Sequence, residues 1–597
     1  MRATGYVIAP DQTASQQAPT LRRLLQYLRP YRKEIPIALG LVLIGAGTQA
    51  MGPLLIGWSI DHLIAQRNLG GLMIMLGLLV IVYMVSIQAI RGQILRVGWI
   101  MQRLLAQLRQ DIFTKIQSLP LSFFDRSEAG DLMSRLLNDV NTVNQAFGQS
   151  LAQVLGNLFS LIGIVIAMLS LNLQLGLVSN LVVPLMIVTT SLFAGWARTK
   201  FRITRQTIGK LSTKLEEDLG SVREAQAFNR VEFNIAQFNK LNAANRNANV
   251  RAVAVTAAFI PSIDFLNTLA TAGVLAYGGY LAVTGAATVG TVTAFLLYVQ
   301  QFFQPIQFLS QFYTQAQSAL AGLERIFLLL DEPSQLKDAP DAVEMPQIRG
   351  EVSFENVTFG YNCDQLVLKG VNLHAKPGQM IALVGPTGAG KSTMINLIVR
   401  FYDVSGGAVK VDGIDVRNVT QASLRRQIGI VLQDNILFSG TVAENIAFGC
   451  PEATPAEIEA AAKVANVHEF ITTLPEGYAT RLGERGVTLS KGQRQLISIA
   501  RAVLVNPRIL ILDEATSSID TRTEALVQEA IARLLKNRTS FVIAHRLSTV
   551  TQANQVLVIQ QGQIIEAGTH ADLIAQQGVY ANLYALQLGA ATPVELR

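Results

Sequence analysis

Six runs of mainly apolar residues punctuate the first 310 positions of the chain: 35–60, 71–91, 151–171, 174–196, 260–283 and 289–310. The hydrocarbon layer of a bilayer takes about 20 residues of α-helix, so each run predicts a membrane-spanning helix. The connections alternate in character. Three are short: Asp61–Gly71, the pair Asn172-Leu173, and the neutral turn Thr284–Thr291. The others are long and charged. Arg22, Arg23, Arg29, Arg32 and Lys33 precede the first run, Arg91 through Arg135 follow the second, and Arg198 through Arg251 follow the fourth. An excess of Lys and Arg marks the cytoplasmic side, so the long stretches and both chain ends are expected inside. Residues 97–118 and 200–250 keep a helical apolar spacing with few Gly or Pro, which predicts that membrane helices continue into the cytoplasm. Two interruptions are expected there, at Leu119–Gly130 and near Gly220–Asn229.

After Arg325 the pattern stops at Asp331-Glu332-Pro333, and from Glu351 onward short alternating segments, Gly-rich turns and helical stretches predict an α/β domain. The expected organisation is a polar, disordered tail at 1–20 without a cleavable signal pattern, a transmembrane domain at 21–330, a linker at 331–347 and an α/β domain at 348–597. Charge agrees with this division. Of 597 residues only 15% are charged, whereas about 25% is usual in soluble domains. Residues 1–330 hold 26 Lys and Arg against 15 Asp and Glu, and the remainder 23 against 27. The basic excess thus belongs to the apolar half, where it flanks the runs, and does not point to nucleic acid. Cys363 and Cys450 stand at no metal-ligand spacing, and a reduced cytosolic setting suits them.

The candidate chemistry lies in the second half. Gly385-Pro386-Thr387-Gly388-Ala389-Gly390-Lys391-Ser392 follows the strand-like Met380–Val384 and leads into a helix beginning near Thr393. Glycines at this spacing let backbone N–H groups curl round phosphate oxygens at a helix N-terminus. Lys391 is placed to neutralise β/γ charge and the Ser392 hydroxyl to ligate Mg²⁺. A second segment, Ile509–Leu512, reads as a buried strand delivering Asp513 and Glu514 at its end. Asp513 is expected to hold Mg²⁺ through water and Glu514 to polarise the attacking water.

Just before that strand stands Leu489-Ser490-Lys491-Gly492-Gln493, close to LSGGQ. With this the chain resembles the ATP-binding cassette (ABC) transporters from about residue 20 to 585, specifically the exporters of the bacterial lipid and multidrug type. The resemblance implies a six-helix transmembrane domain fused to a P-loop cassette, ATP and Mg²⁺ as ligands, and a head-to-tail dimer. The partner would be a second copy or a homologous half-transporter. Tyr361 matches the aromatic that stacks on adenine, and Gln433 the glutamine that senses Mg²⁺. His545 matches the switch histidine, Ser517–Asp520 the dimer-contact loop and Gly483–Gly486 the exporter segment. Ser490, Lys491, Gly492 and Gln493 would face the partner's nucleotide. Lys491 departs from the usual glycine and is expected to act as an added cation near the phosphates. The interruptions at 119–130 and 220–229 resemble coupling helices, with Phe123, Phe124 and Phe228 either as knobs for grooves on the cassettes or packed within the hairpins.

The sixth run bears on cargo. Gln300, Gln304, Gln307 and Gln311 fall at i, i+4, i+7 and i+11, one polar face of a helix. Amides are costly in lipid, so the stripe is expected to line a cavity, together with Tyr298, Phe302, Phe303, Phe308 and Phe312, or to bond neighbouring helices. Asp264 is expected near the inner boundary, solvated or paired. The sequence therefore predicts ATP-driven efflux of an amphipathic or lipid-like molecule. An ATP-gated channel on the same fold and an exporter of peptides are the alternatives.

Overall fold

Each half of the chain folds as its apolar periodicity requires. The computed structural model describes residues 17–302, 304–334, 336–362, 365–433, 435–483, 489–513, 520–544 and 547–587. They form two compact units, Met1–Gln117 with Ala129–Glu332, and Ser118–Glu128 with Pro333–Arg597. The first unit is helical: α1 Gln17–Leu28, α2 Glu34–Ile64 and α3 Leu69–Ser118. The single turn α4 Leu121–Phe124 belongs to the other unit. Then follow α5 Ala129–Leu171, α6 Leu173–Gly220, the short α7 Val222–Ala227, α8 Val231–Val283, α9 Val289–Phe302 and α10 Gln304–Asp331. Among the described residues, α2, α3, α5, α6 and α8 are long and apolar enough to cross a membrane, while the sixth apolar run is shared by α9 and α10.

At 1.5 Å per residue the 50 residues of α3 span about 75 Å, far more than the ~30 Å of a hydrocarbon layer. The spanning helices therefore continue beyond it, as the spacing in 97–118 predicts. Along α3, Met73, Ile74, Ile81 and Ile94 are exposed. A continuous apolar surface of this kind is untenable in water and suited to lipid. Both expected interruptions are present. Pro120, extended at ψ 160°, separates α3 from α4, and Asn229, left-handed at φ +53°, ends α7 before α8. Asn172 marks the tight connection from α5 to α6, its side chain accepting from the Leu175 N–H at 3.0 Å.

Inside the bundle, α9 turns Phe295, Tyr298, Val299 and Phe302 onto Ile164 and Met168 of α5 and Ile263, Leu266 and Val274 of α8. This corrects the expectation that Tyr298 and Phe302 share a lining with Gln300. Residues two apart on an α-helix point about 200° away from one another. Burial of Tyr298 (0% exposed) therefore leaves Gln300 on the exposed face. Asp264 is exposed. Where α2 meets α9 the backbones nearly touch: a Cβ on Gly290 would lie 2.0 Å from the Gly57 carbonyl oxygen. Asp61 seals the contact, accepting from the Thr288 hydroxyl at 2.5 Å and the Gly290 N–H at 2.7 Å.

Among the described residues the second unit has a two-stranded sheet, which pairs Gly440–Thr441 with Arg481–Leu482, and two large ones. One is antiparallel in the order β2-β1-β4-β5, from β1 Val352–Phe359, β2 Leu368–Ala375, β4 Gly406–Val411 and β5 Ile414–Asp415. The other takes its strands from β3 Met380–Val384, β6 Ile428–Val431, β7 Ile509–Asp513, β8 Thr539–Ile543, β9 Gln555–Gln560 and β10 Gln563–Gly568. Its order is β10-β9-β3-β8-β7-β6, parallel except for β10. Helices cover such a sheet on both faces, which is why Ile509–Leu512 of β7 reads as an unbroken apolar run. The segment 331–347, expected as a linker, is fastened to this unit over much of its length. Arg400, 2% exposed, donates to the Asp338 carboxylate at 3.4 Å and to Asp403 at 2.9 Å. The Met345 N–H reaches the Ser423 hydroxyl at 2.8 Å, and Met345 and Ile348 are buried.

Candidate nucleotide site

The candidate site is built on the turn from β3 into the helix α11 Lys391–Ile398. Gly388 and Gly390 are left-handed at φ +83° and +111°, a conformation that L side chains rarely adopt. A Cβ on Gly385 would stand 2.1 Å from the Ile559 carbonyl oxygen. Strand β9 thus presses the loop so closely that only glycine fits. Pro386, Thr387 and Ala389 complete the turn, with the Ala389 N–H bonded to the Pro386 carbonyl at 3.2 Å. Lys391 reaches back over it, its Nζ donating to the carbonyls of Gly385 at 2.7 Å and Pro386 at 2.8 Å. Burial pushes this ammonium below the ordinary lysine value, and the charge of Asp513 opposes the shift. The link between Lys391 and Asp513 follows from register. Leu383 of β3 lies opposite Ile543 of β8, which lies opposite Asp513 of β7. One strand stands between them, about 10 Å at the usual strand spacing.

Other donors end near the same edge. Gln433 follows β6, neighbour to β7, and is exposed. Ser392 opens α11. A hydroxyl, an amide oxygen and a carboxylate are hard oxygen donors, the set that Mg²⁺ prefers, so these residues fit the ion. Tyr361 is anchored beside the loop, its hydroxyl 3.1 Å from the Thr393 hydroxyl. Its ring packs edge-on against Phe359 and Tyr402, with centroids 5.0 and 5.1 Å away.

Sequence reasoning missed what lies next to Tyr361. The Tyr402 hydroxyl donates to the Asp125 carboxylate, and Arg126 donates to the Tyr361 carbonyl at 3.2 Å. The turn α4 is therefore tied to the α/β unit by polar groups. Phe124 is partly exposed and makes a T-shaped pair with Phe123, and Phe228 is 78% exposed. The Asp125-Arg126 pair directly after Phe123-Phe124 was the available signal.

Ser490 caps the helix α12 Lys491–Val505. Its hydroxyl accepts from the Gln493 N–H at 3.2 Å, while the Gln493 side chain accepts from the Ser490 N–H at 2.9 Å. Gly492 is buried in the first turn, which carries no acidic residue and begins with Lys491. Glu514, His545, Glu484–Gly486, Ser517–Ile519 and Phe303 lie outside the described residues, as do the side chains of Gln304, Gln307 and Gln311.

Comparison with known proteins agrees with this geometry. Residues 35–306 match the family pattern of the ABC transporter transmembrane region, and residues 368–517 that of the ABC transporter. An ATP-dependent lipid A-core flippase of Syntrophus aciditrophicus is 38% identical over 573 residues, 96% of this chain and 95% of the relative. The chain belongs to the ABC transporter family. A fatty acid ABC transporter ATP-binding/permease protein of Mycobacterium tuberculosis is 40% identical, covering 88% of this chain and 82% of its own. A solved structure of a bacterial Atm1-family ABC exporter with ATP bound superposes with a TM-score of 0.77 at 30% identity, over 94% of this chain and 99% of that one. This ABC protein is an exporter half-transporter, an integral multi-pass membrane protein whose cassette hydrolyses ATP to drive transport.

Proposed function

We propose that this ABC exporter expels a lipid-like, amphipathic molecule from the cytoplasm across a bacterial inner membrane. It would work as a dimer with a second copy or a homologous half. The observation that carries the nucleotide part is the sheet register, which brings the end of β3, leading into the Gly385–Ser392 turn, and Asp513 at the end of β7 to the same end of the sheet with the single strand β8 between them. Lys391 and the N–H groups of the Gly385–Gly390 turn hold the phosphates. Tyr361 stacks on adenine, Ser392, Gln433 and Asp513 hold Mg²⁺, and Glu514 takes the proton of the attacking water, with His545 at the γ-phosphate. When bound, Mg²⁺ neutralises charge on the β- and γ-phosphates. The partner's Ser490–Gln493 helix end completes the phosphate shell. ATP then favours the closed pair because it binds that state more tightly, and hydrolysis releases it.

Three observations support the cargo reading. The relatives are named for lipid A-core and fatty acid. Gln300 offers an exposed amide within an apolar helix, and the basic loops favour a cytoplasmic cassette. In reconstituted inside-out vesicles, uptake of a fluorescent phospholipid or fatty acid should require Mg·ATP. Glu514→Gln should abolish uptake and hydrolysis while retaining ATP binding. Concentration of a hydrophilic peptide with no lipid movement would refute the cargo. Hydrolysis at full rate by isolated monomers would refute the sandwich.

A further inference from the structure

The turn between α1 and α2 is built for something other than nucleotide. One face of α1 is packed. Leu24 is buried, the Tyr27 ring stacks on Phe327 with centroids 6.2 Å apart, and the Tyr27 hydroxyl donates to Asp111 at 2.8 Å. Arg23 is also engaged, donating to Asp331 at 2.5 Å with its guanidinium 4.5 Å above Phe327. These contacts fix the helix and turn Leu21 and Leu25, four residues apart, outward at 44% and 58% exposure.

Past α1, the tight turn Arg29–Tyr31 leads to α2. Gln26, Arg29, Pro30, Arg32 and Lys33 line an open cavity of about 660 Å³. Among the described residues, Arg29, Arg32 and Lys33 have no carboxylate at ion-pair distance, and the adjacent Glu34 is held by Arg96 at 2.6 Å. The apolar stretch of α2 begins at once, with Ile35 and Ile37 exposed. The Tyr31 ring meets Trp99 edge-on, and Arg103 lies 4.0 Å above Trp99. Such aromatics sit at headgroup level in membrane proteins. Three uncompensated cations therefore lie within one helical turn of the hydrocarbon boundary, beside an outward apolar pair.

We propose that this turn binds the headgroup phosphate of an anionic phospholipid, with Leu21 and Leu25 seated at the acyl boundary. Basic residues immediately flanking a membrane helix attract anionic lipid, and the apolar pair selects a lipid over a soluble anion. The proposal requires only that α2 spans the membrane, so it stands or falls separately from the export reading.

The test measures retained lipid on the full-length protein by native mass spectrometry, titrating mixed micelles with phosphatidylglycerol or phosphatidylcholine in the absence of ATP. Wild type should retain phosphatidylglycerol preferentially. The variant Arg29→Gln/Arg32→Gln/Lys33→Gln should lose at least tenfold of that preference, at roughly fivefold per cation. The charge-preserving Arg29→Lys/Arg32→Lys should keep it, which separates loss of charge from loss of fold. Lys369→Gln/Lys376→Gln/Lys536→Gln, three exposed positions on the cassette, should also keep it. Equal retention by the neutralised turn and wild type would overturn the proposal. So would loss of the preference in the lysine variant, or displacement of the lipid by millimolar inorganic phosphate.

Discussion

At Gly385 the Ile559 carbonyl leaves no room for a side chain, and that oxygen belongs to a central strand that cannot withdraw. Gly385→Ala should therefore destabilise the cassette by about 2 kcal/mol or more, as forced backbone movement does, and ATP binding should fall with it. Thermal unfolding monitored with and without nucleotide checks both. Lys491 presents the opposite case, a residue poorly suited to its own helix. A cation at a helix N-terminus opposes the macrodipole by about 0.3–1 kcal/mol. A docked phosphate reverses that sign. Lys491→Gln should accordingly raise the ATP concentration for half-maximal hydrolysis about two- to fivefold, at about 0.3–1 kcal/mol, with little change in maximal rate. High salt should narrow the difference, because exposed charges are screened. An unchanged ATP requirement at low salt would show that Lys491 does not meet phosphate.

Element contacts depend on partners far apart in the chain, and the junction of α2 with α9 is the clearest example. Asp61 sits 227 and 229 residues from the two groups it accepts from. Asp61→Ala strands the part-buried Gly290 N–H, a loss of about 1–3 kcal/mol, while the Thr288 hydroxyl keeps the Thr291 hydroxyl as a partner at 2.7 Å. Its melting temperature in detergent should fall by several degrees, and Asp61→Asn, which keeps one acceptor oxygen, should fall less. Combining Asp61→Ala with Thr288→Val should be less than additive, since both remove one bond. This separation also explains what could be read in advance. Helix breaks at Pro120, Asn172 and Asn229, the buried β7 run and the Gly385–Ser392 turn are local, carried by φ restrictions and periodicity within a few residues. Contacts such as Asp61 with Gly290, or Arg400 with Asp338, leave no local trace. The face assigned to Tyr298 failed for a related reason. Aromatic residues near a polar stripe read as part of it, although the helical rotation places Tyr298 and Phe302 in the bundle core.

Across the whole molecule, nucleotide and membrane helices have to influence one another, and a short series of contacts suggests how. Thr393, two residues after Lys391, meets the Tyr361 hydroxyl. The Tyr361 ring meets Tyr402, and Tyr402 donates to Asp125 in the segment joining α3 to α5. Burial and the neighbouring carboxylate push the Tyr402 phenol well above its ordinary range, so it stays protonated and remains a donor at any working pH. Tyr402→Phe removes only that donor and keeps the ring against Phe359 and Tyr361. ATP affinity and basal hydrolysis should then stay within about twofold, the effect of under 0.5 kcal/mol expected of a site left packed. Cargo moved per ATP should fall severalfold. Spatial continuity alone does not establish coupling, so the decisive comparison is the cycle with Asp125→Asn. If the bond transmits closure, each single change and the double change should lose transport to the same extent, since all three remove one interaction. Independent, multiplying losses would assign Tyr402 to the adenine pocket alone and leave the path from cassette to membrane to be sought through Arg126.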